Sequence, residues 1–116
     1  MRNKALVKVE IIRSTTNGKI ISYKSEGHAY YDEPGKDIVC AGVSAIIFGT
    51  YNSIEALLGI VSKHTIHAGF FRVDIPERID PKTFEQVQLL LESMVVMLNS
   101  IQESYGEFLT IKETIR

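Results

Sequence analysis

The chain has 116 residues, enough for one domain with an ordinary core and too few for two. Hydrophobic residues make up 45% and charged residues 23%, which is typical of a globular domain and excludes a disordered or collagen-like chain. The formal net charge of -1 gives no basic surface of the kind that binds nucleic acid or anionic membranes. No apolar run approaches the roughly 18 residues that cross a bilayer. We expect a single cytoplasmic domain over residues 1–116, with no membrane or direct nucleic-acid partner.

Two strands joined by a tight turn open the chain. Apolar and polar residues alternate from Ala5 to Ile12, which predicts a half-buried strand. Asn17-Gly18 tolerates the positive φ of a tight turn, and Ile20 to Ser25 follow as the second strand of an antiparallel hairpin. The stretch from Gly27 to Lys36 contains glycine, proline and acidic residues without periodicity, which predicts an exposed loop.

A first long helix is predicted to begin at Asp37, whose side chain suits the N-cap position. The residues that follow are apolar on nearly every side, which indicates a helix covered on more than one face. Gly49 and Asn52-Ser53 leave a break open. We expect the helix to continue past them, toward Val61.

The second half of the chain is predicted to add one or two strands between Lys63 and Ile75, then a second helix. Asp80-Pro81 is a cap and first-turn pair, apolar residues then recur every three or four positions, and Gly106 ends the pattern. A last strand is predicted from Phe108 to Ile115. The fold class is therefore α+β, a single domain with a mostly antiparallel sheet opened by a hairpin and two long helices packed on one face.

Cys40 is the only cysteine and the first candidate for chemistry. It lies about three residues into the predicted helix, where free backbone N–H groups and the helix dipole favour a negative charge. His28 lies twelve residues earlier, across a glycine-containing loop that can bring its imidazole to the sulfur. A thiol with an adjacent base cleaves amides and esters, and the N–H groups around Cys40 can hold the oxyanion. Free cysteines are also often buried, so spacing alone leaves open that Cys40 only fills the core.

Other polar residues near Cys40 each have two interpretations. Asp37 is a helix cap or a catalytic carboxylate, and it can serve as both. Ser44 lies one turn after Cys40, where its hydroxyl bonds a substrate or a carbonyl of the preceding turn. His64 and His67 fall in a predicted strand, which turns them to opposite faces, so we expect no metal site. Nucleotide-binding and zinc-peptidase motifs are absent, and no cofactor is expected.

Residues 27–49 read GHAYYDEPGKDIVCAGVSAIIFG. This segment resembles the ribosomal-processing cysteine protease family of small bacterial proteins, which carry a Gly-His-Ala motif, a glycine-bearing loop and an Asp-Ile-Val-Cys-Ala-Gly-x-Ser-Ala motif in this order. The resemblance implies a cysteine endopeptidase that removes a short N-terminal extension from a large-subunit ribosomal protein, at a site preceded by aromatic residues. It also implies a homodimer. The alternative is a non-catalytic, ribosome-associated protein that holds the peptide without cutting it.

The resemblance also implies roles for single residues. His28 and Cys40 match the catalytic pair of the family. Asp37 matches the acidic residue of the cysteine motif, and Ser44 matches its serine, for which a hydrogen bond to the substrate or the sulfur is proposed.

The loop between the catalytic residues is expected to act as a gate over the peptide. Gly35 falls in the loop that is mobile in the family. Tyr30 and Tyr31 are this chain's own variations, placed to stack on aromatic substrate residues. We therefore predict that substrate orders the segment from Ala29 to Lys36.

Overall fold

The computed structural model describes residues 7–27 and 34–116, with residues 34–37 described by their backbone. Five strands and two helices lie within these residues. The strands are β1 (Val7–Arg13), β2 (Ile20–Glu26), β3 (Lys63–His67), β4 (Phe70–Asp74) and β5 (Leu109–Ile115), and the helices are α1 (Pro34–Leu58) and α2 (Pro81–Tyr105). This arrangement confirms the predicted α+β class, and it divides the uncertain stretch from Lys63 to Ile75 into two strands.

The strands form one sheet in the order β3-β4-β2-β1-β5. β1 pairs with β2 in an antiparallel hairpin, as predicted, and β2–β4 and β4–β3 are antiparallel as well. β5 pairs parallel to β1, because α2 carries the chain back along the sheet before β5 begins. The sheet is therefore mostly antiparallel, with one parallel pair at its edge.

The two faces of the sheet differ in chemistry. Residues paired across neighbouring strands point to the same face, so Ile11, Tyr23 and Val73 lie in one row, and all three are buried beneath the helices. The Tyr23 hydroxyl donates to the Ile47 carbonyl of α1 at 3.3 Å. Both long helices cover this face, as predicted.

The opposite face carries charged and hydroxyl side chains. Lys24 lies 3.6 Å from Glu10 across the β1–β2 pair, and the Thr114 hydroxyl donates to Glu10 at 2.6 Å. The hydrogen bond from Thr114 and the nearby Lys24 charge together hold the pKa of Glu10 below its ordinary value. This polar face agrees with a sheet that is covered on one side only.

α1 begins earlier than predicted. Its first residue is Pro34, whose fixed φ and missing N–H suit the first position of a helix. The prediction that Asp37 caps the helix is therefore wrong, and so is the loop assignment of residues 34–36. The predicted continuation through Gly49 is confirmed, and the helix ends at Leu58 before Gly59, which has a φ of 70°.

α1 is unusually apolar for its place in the fold. Ile38–Leu58 is the one stretch of the described residues that is long and apolar enough to cross a membrane, with a mean hydropathy of 1.3. No such segment was predicted from the sequence. Only 28% of the stretch is buried. Its buried side chains recur on one side of the helix, against the sheet and α2 (Val39, Val43, Ile47, Thr50 and Ile54). α1 is thus a core helix with an exposed apolar outer surface.

α2 begins and ends as predicted. The Asp80 carboxylate accepts a hydrogen bond from the backbone N–H of Thr83 at 3.1 Å, and this bond lowers the pKa of Asp80. Pro81 is the first helical residue and Gly106 follows the last. The residues that mark the two ends of α2 lie at those ends in the sequence, so both ends were predicted correctly.

Gln88 of α2 joins the helix layer to the sheet. Its side-chain amide accepts from the Ile20 N–H at 2.9 Å and donates to the Ile20 carbonyl at 2.8 Å. Ile20 pairs with Arg13 where the β1–β2 register shifts. Gln88 is buried and satisfies both backbone groups of Ile20 at this irregularity.

We expect Gln88→Leu to lower the free energy of unfolding by roughly 2 to 4 kcal/mol, because it leaves the buried N–H and carbonyl of Ile20 without partners. Gln86→Leu, at an exposed position on the same helix, is the matched control and should change stability little. Urea unfolding of both variants measures the difference. Equal stabilities of the two variants would show that Gln88 does not stabilise the strand irregularity at Ile20.

Candidate active site

One side of α1 places the thiol, a hydroxyl and an aromatic ring in line. Cys40, Ser44 and Phe48 are spaced four residues apart, so they share a side of the helix. Each directly follows a residue of the core (Val39, Val43 and Ile47). Cys40 is partly exposed and is not core filler. The spacing of Cys40 and Ser44 agrees with the sequence prediction.

The sheet supplies the facing wall. Ser25 pairs with Phe71, and Phe71 pairs with Ile66, so these three residues form one row across β2, β4 and β3 on the helix-covered face. The Phe48 and Phe71 rings have centroids 4.4 Å apart and planes tilted by 43°. This aromatic contact joins α1 to the sheet beside Ser44.

A cavity of about 300 Å³ lies between these walls. Its lining includes Cys40, Ser44 and the row just described, together with residues at the strand ends (Gly27, His67, Gly69 and Phe70). The His67 and Phe70 rings are stacked, with centroids 4.8 Å apart and planes 11° apart. His67 and Phe70 pair one residue beyond the Phe71–Ile66 pair, so their rings belong to the opposite face of the sheet. The cavity therefore combines one thiol and two hydroxyls with aromatic walls from Phe48 and Phe71.

Gly27 fixes the start of the Gly-His-Ala motif at this cavity. Its N–H donates to the Gly69 carbonyl at 2.9 Å, and its φ of 106° is a conformation that favours glycine. His28, the next residue in the chain, lies outside the described residues, as do Tyr30 and Tyr31. The pairing of His28 with Cys40 thus stays a prediction, as does the contact of the two tyrosines with substrate.

The early start of α1 changes the surroundings of Cys40. Cys40 is the seventh residue of the helix, rather than about the third, so its N–H lies within the intrahelical hydrogen-bond pattern. The predicted oxyanion hole from N–H groups around Cys40 is therefore wrong for this helix. Gly35 also lies in helical backbone, where φ is negative, and not in the predicted loop.

Sequence reasoning missed most of the sheet side of the cavity. Phe70 and Phe71 fell only within the stretch predicted to form one or two strands, and Ser25 only at the end of the second strand. His64 and His67 lie in a strand, as predicted, and the His64 ring contacts the Tyr51 hydroxyl at 3.0 Å. In the described part of the chain, no group of three or more His, Cys, Asp or Glu side chains is arranged to hold a metal ion.

The sequence model of the family described as cysteine protease Prp matches residues 6–110. A protein of Bacillus subtilis strain 168, named ribosomal processing cysteine protease Prp, is 37% identical over 112 residues. The match covers 95% of this chain and 99% of that protein.

Two solved structures of the Staphylococcus aureus ribosomal processing protease Prp share the fold. One holds a substrate peptide, with a TM-score of 0.81 and 31% identity over 94% of this chain and 100% of that one. The other holds a covalently linked product peptide, with a TM-score of 0.80 and the same identity and coverage.

We expect a small thiol reagent such as iodoacetamide to label folded protein once per chain, because Cys40 is the only thiol and opens into the cavity. Mass spectrometry of protein labelled with and without urea measures the dependence on unfolding. If labelling required unfolding, Cys40 would be a residue buried in the core rather than an accessible thiol.

Proposed function

Because the chain belongs to the Prp family of ribosomal processing cysteine proteases, we propose that it removes a short N-terminal extension from a large-subunit ribosomal protein of its own cell. The observation that carries the proposal is the position of Cys40, partly exposed in a cavity with aromatic walls. The alternative, a protein that binds the peptide without cutting it, gives no reason for an accessible thiol at this position. We also infer that the protein works in the cytoplasm, where its ribosomal substrate is made.

The proposed chemistry is acyl transfer. The Cys40 sulfur attacks the carbonyl carbon of the scissile bond, while His28 takes the thiol proton and then gives it to the departing amine. The extension is then held as a thioester on Cys40. A water molecule gives a proton to His28 and attacks the thioester, which releases the extension as a carboxylic acid, and His28 returns its proton to the sulfur.

Neighbouring residues support these steps in the proposal. Gly27 lines the cavity, which favours His28 as the base because it is the next residue in the chain. Ser44 also lines the cavity, and we assign its hydroxyl a hydrogen bond to the substrate carbonyl or the sulfur. We assign Asp37 the orientation of His28, in place of the cap role that the helix start excludes.

The walls of the cavity favour aromatic substrate side chains. Phe48 and Phe71 offer ring surfaces in the cavity that holds the thiol, and an aromatic residue next to the scissile bond fits them by stacking and edge contacts. Tyr30 and Tyr31 lie in the chain between Gly27 and α1, and we keep them as further contacts to the peptide.

A homodimer is proposed from the outer surface of the helix pair. No charged residue occurs between Asp37 and Glu55, and α2 adds exposed Leu89, Val96 and Met97. An apolar groove of about 310 Å³ runs between the helices on this side. Such a surface meets a second copy without charge repulsion.

We expect Cys40→Ala to abolish cleavage and leave the fold intact, because alanine suits a helix and little volume is lost. His28→Ala should lower turnover by a factor of about 100 or more, since general-base catalysis is lost. The measurement is the mass of the ribosomal protein after incubation with each variant.

Asn52→Ala, at an exposed position of the same helix that lines neither the Cys40 cavity nor the groove between the helices, is the control for Ser44→Ala and Asp37→Asn. The two site variants should lose turnover, whereas the control should keep it. If Cys40→Ala cleaved at the native rate, the assignment of Cys40 as the nucleophile would be wrong.

We expect Val96→Glu to convert the dimer to a monomer, because it places a charge on the exposed apolar surface of α2 that belongs to the proposed contact. Val61→Glu is the control, since Val61 is equally exposed but lies beyond the end of α1. Sedimentation velocity gives the mass of each. A monomeric native protein, or two variants with the same dimer content, would contradict this surface.

A further inference from the structure

The outer edge of β3 has backbone groups that no strand of residues 7–27 or 34–116 pairs with. β3 is the last strand in the sheet order, and its only neighbour within these residues is β4. All five of its residues, Lys63–His67, are exposed. An open edge of this kind can pair with an added strand.

The register shows which residues of β3 face outward. The Ile75 N–H donates to the Ile21 carbonyl, and the Gly27 N–H donates to the Gly69 carbonyl, both at 2.9 Å. Odd-numbered residues of the β4 segment therefore direct their backbone groups toward β2, and even-numbered ones direct theirs toward β3.

Phe70, Arg72 and Asp74 are the even-numbered residues of β4, and they pair with His67, Thr65 and Lys63. Those three residues of β3 therefore direct their backbone groups inward, to β4. The N–H and carbonyl groups of His64 and Ile66 point to the open edge. Their spacing of two residues is the one at which an extended peptide forms hydrogen bonds.

This edge is continuous with the cavity of Cys40. Ile66 lines the cavity, and the next residue, His67, at the end of β3, lines it as well. The His64 ring contacts Tyr51 of α1, with ring centroids 5.1 Å apart. The outward backbone groups therefore lie along the side of the sheet that leads to the thiol.

We propose that the substrate binds as an added sixth strand on β3, hydrogen-bonded to the backbone of His64 and Ile66. This strand would place the scissile bond at Cys40. The inference rests on the proposed function, because the occupant is the extended N-terminal segment of the ribosomal protein. Backbone pairing supplies affinity for any extended chain, and the aromatic walls of the cavity select its side chains.

Binding to protein that also carries Cys40→Ala tests this without cleavage. His64→Pro removes one outward N–H, whereas His64→Ala removes the same ring contact and keeps that N–H. The probe is a synthetic peptide of the ribosomal protein's N-terminal segment, and calorimetry gives its Kd. We expect proline to weaken binding about threefold to tenfold relative to alanine. Equal affinities would overturn the added strand.

The substrate side provides a second test that leaves the protein unchanged. N-methylation of single peptide amides should weaken binding at every second position over the paired segment and spare the positions between. An equal effect at all positions, or at none, would also overturn the inference. If the proline variant does not fold, this scan of the peptide is the deciding test. Failure of the native protein to cut the unmodified peptide, with the alternating pattern intact, would instead refute the proposed protease function.

Discussion

The rotation of α1 about its own axis determines where the thiol points. Val39, Val43 and Ile47 have to be buried against the sheet, and this requirement leaves the helix one orientation. The next residue along a helix is turned by about 100°, so Cys40 and Ser44 are held to the side of the buried stripe. Packing of the core and placement of the Cys40 thiol are therefore one interaction, and a change that rotates the helix moves both.

The position of α1 over the sheet adds a second constraint. The helix contacts Tyr23 and Phe71, which lie in the two strands nearest the β3 edge. α2 occupies the other half of the same face, where Gln88 binds Ile20 and Leu109 is fully buried. The cavity thus lies at the edge of the covered face, and an extended chain can reach the thiol without opening the core.

Elements whose ends depend on residues close in the chain were mostly predicted correctly, whereas pairings between distant residues were not. The α2 ends and the β1–β2 turn depend on residues close in the chain, namely Asp80, Pro81, Gly106 and Asn17-Gly18, and they were predicted correctly. The start of α1 was misplaced because Asp37 is a good cap residue, while Pro34, which begins the helix, was interpreted as part of a loop. The parallel β1–β5 pair joins residues about 100 positions apart, and no local pattern encodes it.

The candidate site divides in the same way. Cys40 and Ser44 share a helix, so their common side follows from their spacing alone. Ser25, Phe48 and Phe71 meet only because three separate elements pack together, and the row that holds two of them depends on sheet order. The β3 edge was beyond prediction for the same reason: its strand could be recognised as a segment, but not as the last strand of the sheet.

The parallel β1–β5 pair has a consequence for how the protein is made. The ribosome makes β5 after all the other described elements, yet Leu109 of β5 is fully buried and β1 pairs with β5 along its full length. A nascent chain that lacks β5 exposes one side of β1 and part of the core, so we expect the sheet to close only late in synthesis. Contacts this far apart in sequence also fold slowly. The protein would then gain its native sheet only once β5 itself has been made.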